Sequence, residues 1–226
     1  MCRRFVILFA TLFSIFAVAP SGAGIIIGGT RVIFPGNKVD TTISVINKDT
    51  ALPYLIQTWV DPFNHADKGK PPFTVIPPVS RLEPGQERVL RILKTQGELP
   101  SDRESVFWLN VKNIPPSTSK ESSKLEIAIK TRLKLFWRPE GIKERPETAS
   151  QKVQWHRQSN VLVVTNPTAI HINVIDVTVD GKPLDLAIIK PFETLQLALP
   201  AGTGKKLIWH SINDYGAISD AIQQPL

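Results

Sequence analysis

The stretch Ser123–Arg138, SKLEIAIKTRLKLFWR, limits what this chain can fold into more than any other part of it. Leu125, Ile127, Ile129, Leu133 and Leu135 fall on one parity, with Thr131 between them, and Glu126, Lys130, Arg132 and Lys134 fall on the other. An apolar residue at every second position marks a β-strand with one apolar and one charged face. Most such strands bury the apolar face in their own core. Here the left flank, Pro115-Pro116-Ser117-Thr118-Ser119-Lys120-Glu121-Ser122, is polar and turn-rich, so the strand can lie at a sheet edge. An edge strand with an alternating apolar row is a template for β-augmentation: a partner pairs with its backbone while alternate side chains fill the partner's pockets.

The rest of the chain has the same character. Strand-length apolar clusters recur at Thr30–Phe34, Asp40–Asn47, Tyr54–Val60, Glu87–Leu93 and Ser105–Val111. Turn residues separate them at Pro35-Gly36-Asn37, Asn47-Lys48-Asp49, Lys68-Gly69-Lys70-Pro71-Pro72, Glu83-Pro84-Gly85 and Pro100-Ser101-Asp102. No segment keeps a 3.6-residue apolar period, and 19 prolines punctuate the chain. The expected class is all-β, built of antiparallel sandwiches. Pro139–Pro146 (PEGIKERP), polar and bracketed by prolines, reads as a linker over 139–146 between a first domain, 24–138, and a second, 147–226. The second domain carries shorter segments at Val153–His156, Asn160–Thr165, His171–Val179, Thr194–Leu199 and Lys206–Ile212, with a turn at Asp180-Gly181-Lys182-Pro183. At roughly 80 residues it is near the lower limit for a sandwich without disulfides. Gly28-Gly29 reads as part of a flexible amino-terminal arm.

Residues 1–23 stand outside this pattern. Arg3 and Arg4 precede an apolar run from Phe5 to Val18, and Ser21-Gly22-Ala23 offers small residues for cleavage. That is the layout of a secretory signal peptide cut after Ala23, and the run is short for a membrane anchor. Cys2, the single cysteine, leaves with it, so the exported protein is held by packing alone. Loss of Arg3 and Arg4 takes the formal charge from +7 to +5. No basic stripe interleaved with stacking aromatics accompanies that charge, and export argues against nucleic acid as a partner.

Familiar reaction chemistry is missing. His65, His156, His171 and His210 are scattered, without the spacing of a zinc site, and read as loop or surface histidines. There is no G-x-S-x-G, H-E-x-x-H or P-loop, so the chain is not expected to be an enzyme or to carry a metal or cofactor. An unrecognised hydrolase would need a triad assembled from distant positions, and no sequence pattern here supplies one. The five tryptophans, Trp59, Trp108, Trp137, Trp155 and Trp209, would suit the sugar platform of an exported two-sandwich adhesion or binding module. Anchoring the sandwich cores is their more ordinary use, since Trp108 and Trp137 lie in alternating strands.

An ordered series of stretches resembles the periplasmic pilus-assembly chaperones of the chaperone–usher pathway, the PapD-like family. They are Thr30-Arg31-Val32-Ile33-Phe34, Leu52-Pro53-Tyr54-Leu55, Pro77-Pro78-Val79-Ser80-Arg81-Leu82-Glu83-Pro84-Gly85 and Asp102-Arg103-Glu104-Ser105-Val106-Phe107-Trp108-Leu109-Asn110. Asn113-Ile114-Pro115-Pro116, Lys134-Leu135-Phe136-Trp137-Arg138-Pro139 and Ile212-Asn213-Asp214-Tyr215-Gly216 complete the series. The resemblance implies two immunoglobulin-like β-sandwich domains with a cleft between them. It implies a protein in the periplasm that donates an edge strand to fimbrial subunits, caps them and delivers them to an outer-membrane usher. The residues matching the family's anchor for the subunit's terminal carboxylate are Arg31 and Lys134. Those matching the donated row are Leu125, Ile127 and Ile129, and those matching an interdomain ionic cluster are Glu104, Arg138 and Asp214. Pro53, Leu55, Pro78 and Val79 match the usher-facing surface, although turn and core packing would also account for them. The short segment between Ile114 and Leu125 resembles the short-loop branch that serves rod-like adhesive pili. Some members carry a disulfide in the second domain, which this chain lacks, and the chain's short end implies a brief last strand.

The residues agree with that implication in energetic terms. Fully burying three such apolar side chains is worth roughly 5–9 kcal/mol before ordering costs, and an Arg and a Lys on one carboxylate form charge-assisted bonds that fix the register. When no subunit is bound, a second copy of the chain could cap the same edge as a homodimer. One point conflicts. Lys134 has the opposite parity to Leu125, Ile127 and Ile129, so a bend, a bulge or a lysine stem reaching around the edge is required to bring it to the same partner.

Overall fold

The computed structural model of the chain describes residues 24–64, 66–67, 69–116, 126–202 and 204–226. The signal segment, His65 and Leu125 therefore lie outside the described residues.

The first sandwich packs two sheets. One contains β1 (Ile25–Ile27), β3 (Asp40–Asn47), β7 (Glu87–Lys94) and β5 (Phe73–Ile76), in that spatial order. The other runs β2 (Arg31–Pro35), β9 (Ile129–Arg138), β8 (Ser105–Ile114), β4 (Tyr54–Pro62) and β6 (Val79–Leu82). Alternation sets which side chains meet. Val32 and Phe34 of β2, Ile43 and Val45 of β3, Leu90 and Ile92 of β7, and Leu133, Leu135 and Trp137 of β9 close one core. The short strands β5 and β6 were not apparent as strands because prolines flank both, and edge strands tolerate proline where interior strands do not.

The glycine pair is not a loose arm. It marks the point where the chain changes sheets, from β1, paired with β3, to β2, paired with β9. Gly28 N–H donates to Ser44 O (2.9 Å), and a Cβ on Gly28 would collide with the Ser44 side chain. A β-carbon-free residue is what lets the crossing chain lie against β3.

The second sandwich has a three-stranded sheet of β10 (Gln154–Gln158), β11 (Val161–Thr165) and β15 (Thr194–Ala198). Facing it is a sheet in which β12 (Ile172–Val179) is bordered by β13 (Lys182–Pro183), β14 (Ile188–Ile189) and β16 (Lys206–Ile212), and β16 is followed by β17 (Ile222–Pro225). The last strand is brief, as its short sequence implies. A single helical turn, α1 (Pro146–Ala149), precedes β10, too short to impose a period on the sequence.

The tryptophans do not share a surface. Trp137 is buried in the first core, and Trp155 and Trp209 meet in the second with ring centroids 5.5 Å apart. Trp108 departs from the expected core role. It lies on the outer face of its sheet, half-buried, stacked on Phe63 at 5.1 Å and beneath the Arg132 guanidinium at 4.5 Å.

Candidate functional site

Strand β9 is paired fully on one side and partly on the other. Its antiparallel register with β8 runs without a break from Ile129 opposite Asn113 to Trp137 opposite Ser105. On the other side β2 lies parallel to it, but only from Lys134 opposite Arg31 to Arg138 opposite Pro35. Between Ile129 and Leu133 that second edge has no strand beside it among the described residues, because the chain upstream of β2 has moved to the other sheet as β1. The gap is a groove of about 410 Å³ whose walls include Ile25, Ile27, Leu52, Tyr54, Val111 and Ile129. Regular strand begins at Ile129, later than the alternation from Ser123 suggests. Ile127 and Ile129 are 63% and 56% exposed, so these isoleucines belong to no core.

The unbroken register removes the expected bulge or bend. Leu133, Leu135 and Trp137 enter the first core, while Arg132, Lys134, Phe136 and Arg138 face the opposite way. That opposite face is where the second sandwich docks. The Phe136 ring lies 5.6 Å from that of His171, and Lys134 Nζ donates to Asn173 Oδ1 (2.6 Å). The lysine thus reaches the space between the domains from the outer face, and the apolar row continues into the inner one.

At that cleft, Arg31 and Lys134 sit in register. Burial, with Arg31 next in importance, pulls the Lys134 ammonium down to a pKa of about 8. Burial also lowers Arg31, against the opposing pull of Asp214 and Glu104. The Arg31 Nε is buried without a hydrogen-bond partner. Neither cation has an ion-pair partner among the described residues. Two partly desolvated, unneutralised cations side by side make a site that favours an anion.

The third cation behaves differently. Arg138 donates through Nε to Glu104 Oε1 (2.9 Å) and through Nη1 and Nη2 to both Asp214 oxygens (2.7 and 2.8 Å). Burial opposes its charge, but the bonds to Asp214 and the field of Glu104 raise its pKa well above the ordinary value. The sequence therefore picked out residues that do converge. It missed one that joins them: His171, in the loop immediately before β12, is buried rather than on the surface. Its backbone N–H donates to Glu104 Oε2 (2.9 Å), and its Nδ1, when protonated, donates to the same oxygen (2.9 Å). A lone histidine at the start of an apolar segment gives no sign of this. His156 is exposed, whereas His210 is half-buried within β16, with Nδ1 2.9 Å from Ser219 O.

Leu55 and Val79 are 41% and 49% exposed on the β4–β6 edge, and Pro78 is exposed beside them. Pro53 is half-buried. The outer placement of Leu55 and Val79 excludes core packing for that pair.

Comparison with known proteins decides the family. Residues 24–143 match the model of the pili and flagellar-assembly chaperone PapD N-terminal domain, and residues 148–223 match that of the pili assembly chaperone PapD C-terminal domain. The chain belongs to the PapD family of pilus-assembly chaperones. Among its relatives, the probable fimbrial chaperone LpfB of Escherichia coli O157:H7 is 38% identical over 227 residues, covering 98% of this chain and 96% of that one. Chaperone protein FimC of Escherichia coli strain K12 is 36% identical over 200 residues, covering 87% and 82%. The Salmonella enterica SafB chaperone, solved in complex with the SafA pilin, superposes with a TM-score of 0.81 at 34% identity, over 92% of this chain and 99% of that one. The Escherichia coli chaperone DraB gives 0.79 at 38% identity, over 90% and 98%. The two immunoglobulin-like sandwiches and the cleft are thus the PapD architecture.

Proposed function

We propose that this PapD-family chaperone completes fimbrial subunits by lending them the free edge of β9, and holds each subunit's terminal carboxylate between Arg31 and Lys134. One observation carries the reading: the second edge of β9 is open from Ile129 to Leu133 and closed from Lys134 onward by β2. A strand added at the open edge must stop where β2 starts, beside Arg31. If it runs parallel to β9 it ends there in a carboxylate. If it runs antiparallel it brings its amino end toward two cations, which Coulomb repulsion disfavours. Orientation and register are then set by charge, and the row Leu125, Ile127 and Ile129 fills the subunit's missing-strand groove.

Residues 1–23 direct export to the periplasm and are removed after Ala23. The linker 139–146 joins two domains, 24–138 and 147–226, whose angle is held by Glu104, Arg138 and Asp214 with His171. The β4–β6 edge, with Pro53, Leu55, Pro78 and Val79, is the surface offered to the outer-membrane usher. In the free protein a second copy capping the β9 edge would shield Ile127 and Ile129. The role is stoichiometric binding without turnover.

Native mass spectrometry of the protein isolated from its own periplasm, beside Arg31→Ala, tests this. The wild type should carry one fimbrial subunit per chain, and the variant should lose it. Equal occupancy in the two would leave strand pairing but remove the anchor.

A further inference from the structure

The turn Asn213–Ala217 lies at the second domain's side of the cleft and is fixed from several directions. Asp214 is clamped by Arg138 through two hydrogen bonds. Asn213 Oδ1 accepts from the N–H groups of Tyr215 (3.0 Å) and Ala217 (2.9 Å), and Gly216 N–H donates to Asn213 O (3.0 Å). Gly216 has φ +86°, and a Cβ there would strike the Thr30 hydroxyl. The turn is therefore seated against the residue that precedes Arg31. The Tyr215 side chain takes no part in this anchoring. It is 91% exposed, and neither its ring nor its hydroxyl has a partner among the described residues.

An aromatic ring held in water on a pinned turn has already lost backbone freedom, so a contact made by it costs little further ordering. Its place identifies the partner. Thr30 and Arg31 begin the line of β2, so they mark the point at which a strand added to the open edge of β9 ends. We infer that Tyr215 is the second domain's contact for the last residues of the bound subunit, its ring packing on the terminal residue beside the carboxylate held by Arg31 and Lys134. The inference rests on the carboxylate-anchor reading and adds a contact from the other domain. It also gives a reason for joining the Asp214 bond to the domain interface: the bond that holds the domains together aims Tyr215.

The test uses the mature full-length protein and a fluorescein-labelled twelve-residue peptide of alternating valine and threonine, with a free or an amidated carboxyl end. The wild type should prefer the free acid. Tyr215→Ala should weaken free-acid binding about 5- to 10-fold, the scale of one aromatic contact, and Tyr215→Phe should retain it. Because the Tyr215 side chain has no partner among the described residues, the unfolding midpoint should not move. Iodination of Tyr215 should be blocked by the free-acid peptide. If Tyr215→Ala and the wild type bind the free acid equally, while Arg31→Ala loses it, the Tyr215 contact is overturned and the anchor stands. If the wild type binds acid and amide equally, the anchor reading falls and this inference falls with it.

Discussion

Arg31 and Lys134 stand opposite each other in a parallel strand pair, two cations in register without a carboxylate paired to either among the described residues. Adjacent strands place their side chains close together, and like charges so placed repel. The arrangement leaves a charge imbalance in the free protein that an incoming anion relieves.

That imbalance has a pH signature. Lys134 has a pKa of about 8 in the free chain, below its ordinary value, because it is half-buried beside Arg31. In the window between about 8 and the ordinary lysine pKa the unfolded chain binds more protons, so Lys134 makes the free protein more stable as pH rises through it. A bound carboxylate reverses the balance by favouring the ammonium. Complex formation near pH 8 should therefore take up about half a proton, and affinity should fall as pH rises above it. Titration calorimetry in buffers of different ionisation enthalpy reads the uptake, and Lys134→Met should abolish it.

Ile127 and Ile129 are exposed in the free chain, so changing them should separate folding from binding. Ile129→Asp should leave stability within about 0.5 kcal/mol of wild type. It should weaken the subunit complex by at least 10-fold, since a buried isoleucine is worth about 1.5–3 kcal/mol. Denaturant melts and co-purification measure the two effects on the same preparation.

Glu104 should behave in the opposite way. Its carboxylate is buried and meets Arg138 and both the backbone and the ring of His171. Glu104→Ala leaves those donors short of an acceptor, and removing one member of a buried ionic group costs about 3–5 kcal/mol. Thermal melting should show the loss, and small-angle scattering should show a broader spread of domain angles. A buried cluster of this kind need not add net stability over an apolar replacement; the role proposed for it is to fix the relation between the sandwiches.

The surface proposed for the usher can be tested apart from the proposed subunit site. Leu55→Asp and Val79→Asp lie on the β4–β6 edge, away from the open edge of β9. They should leave the subunit complex intact and abolish its retention on usher-containing outer membranes, measured by co-sedimentation.

Much of this was legible in the sequence because alternation is a local property. The period of two in Leu133, Leu135 and Trp137 fixes which face of β9 enters the core, whatever lies beyond. The parity of Lys134 conflicts with that of the apolar row only if both must meet a partner on one face of the sheet. The sheet has two useful faces, and the second becomes visible only when Phe136 is seen against His171. His171 and Asn173 were illegible for the same reason: each acquires its meaning from a residue of the other domain. Trp108 misled because strand parity says that a side chain faces out or in, and only the neighbours Phe63 and Arg132 show that it has a bed on the outer face. The tight seat of Gly28 depends on Ser44, a contact that no local pattern encodes.

The edge of β9 between Ile129 and Leu133 should be free in the chaperone and paired in its subunit complex. Amide hydrogen exchange, read residue by residue in the free protein and in the purified subunit complex, tests it most directly. Amides of Ile129–Leu133 directed away from β8 should exchange fast in the free protein and become strongly protected in the complex, while those bonded to β8 should change little. Equal exchange of the outward amides in the two states, with the subunit still bound, would contradict strand donation by β9.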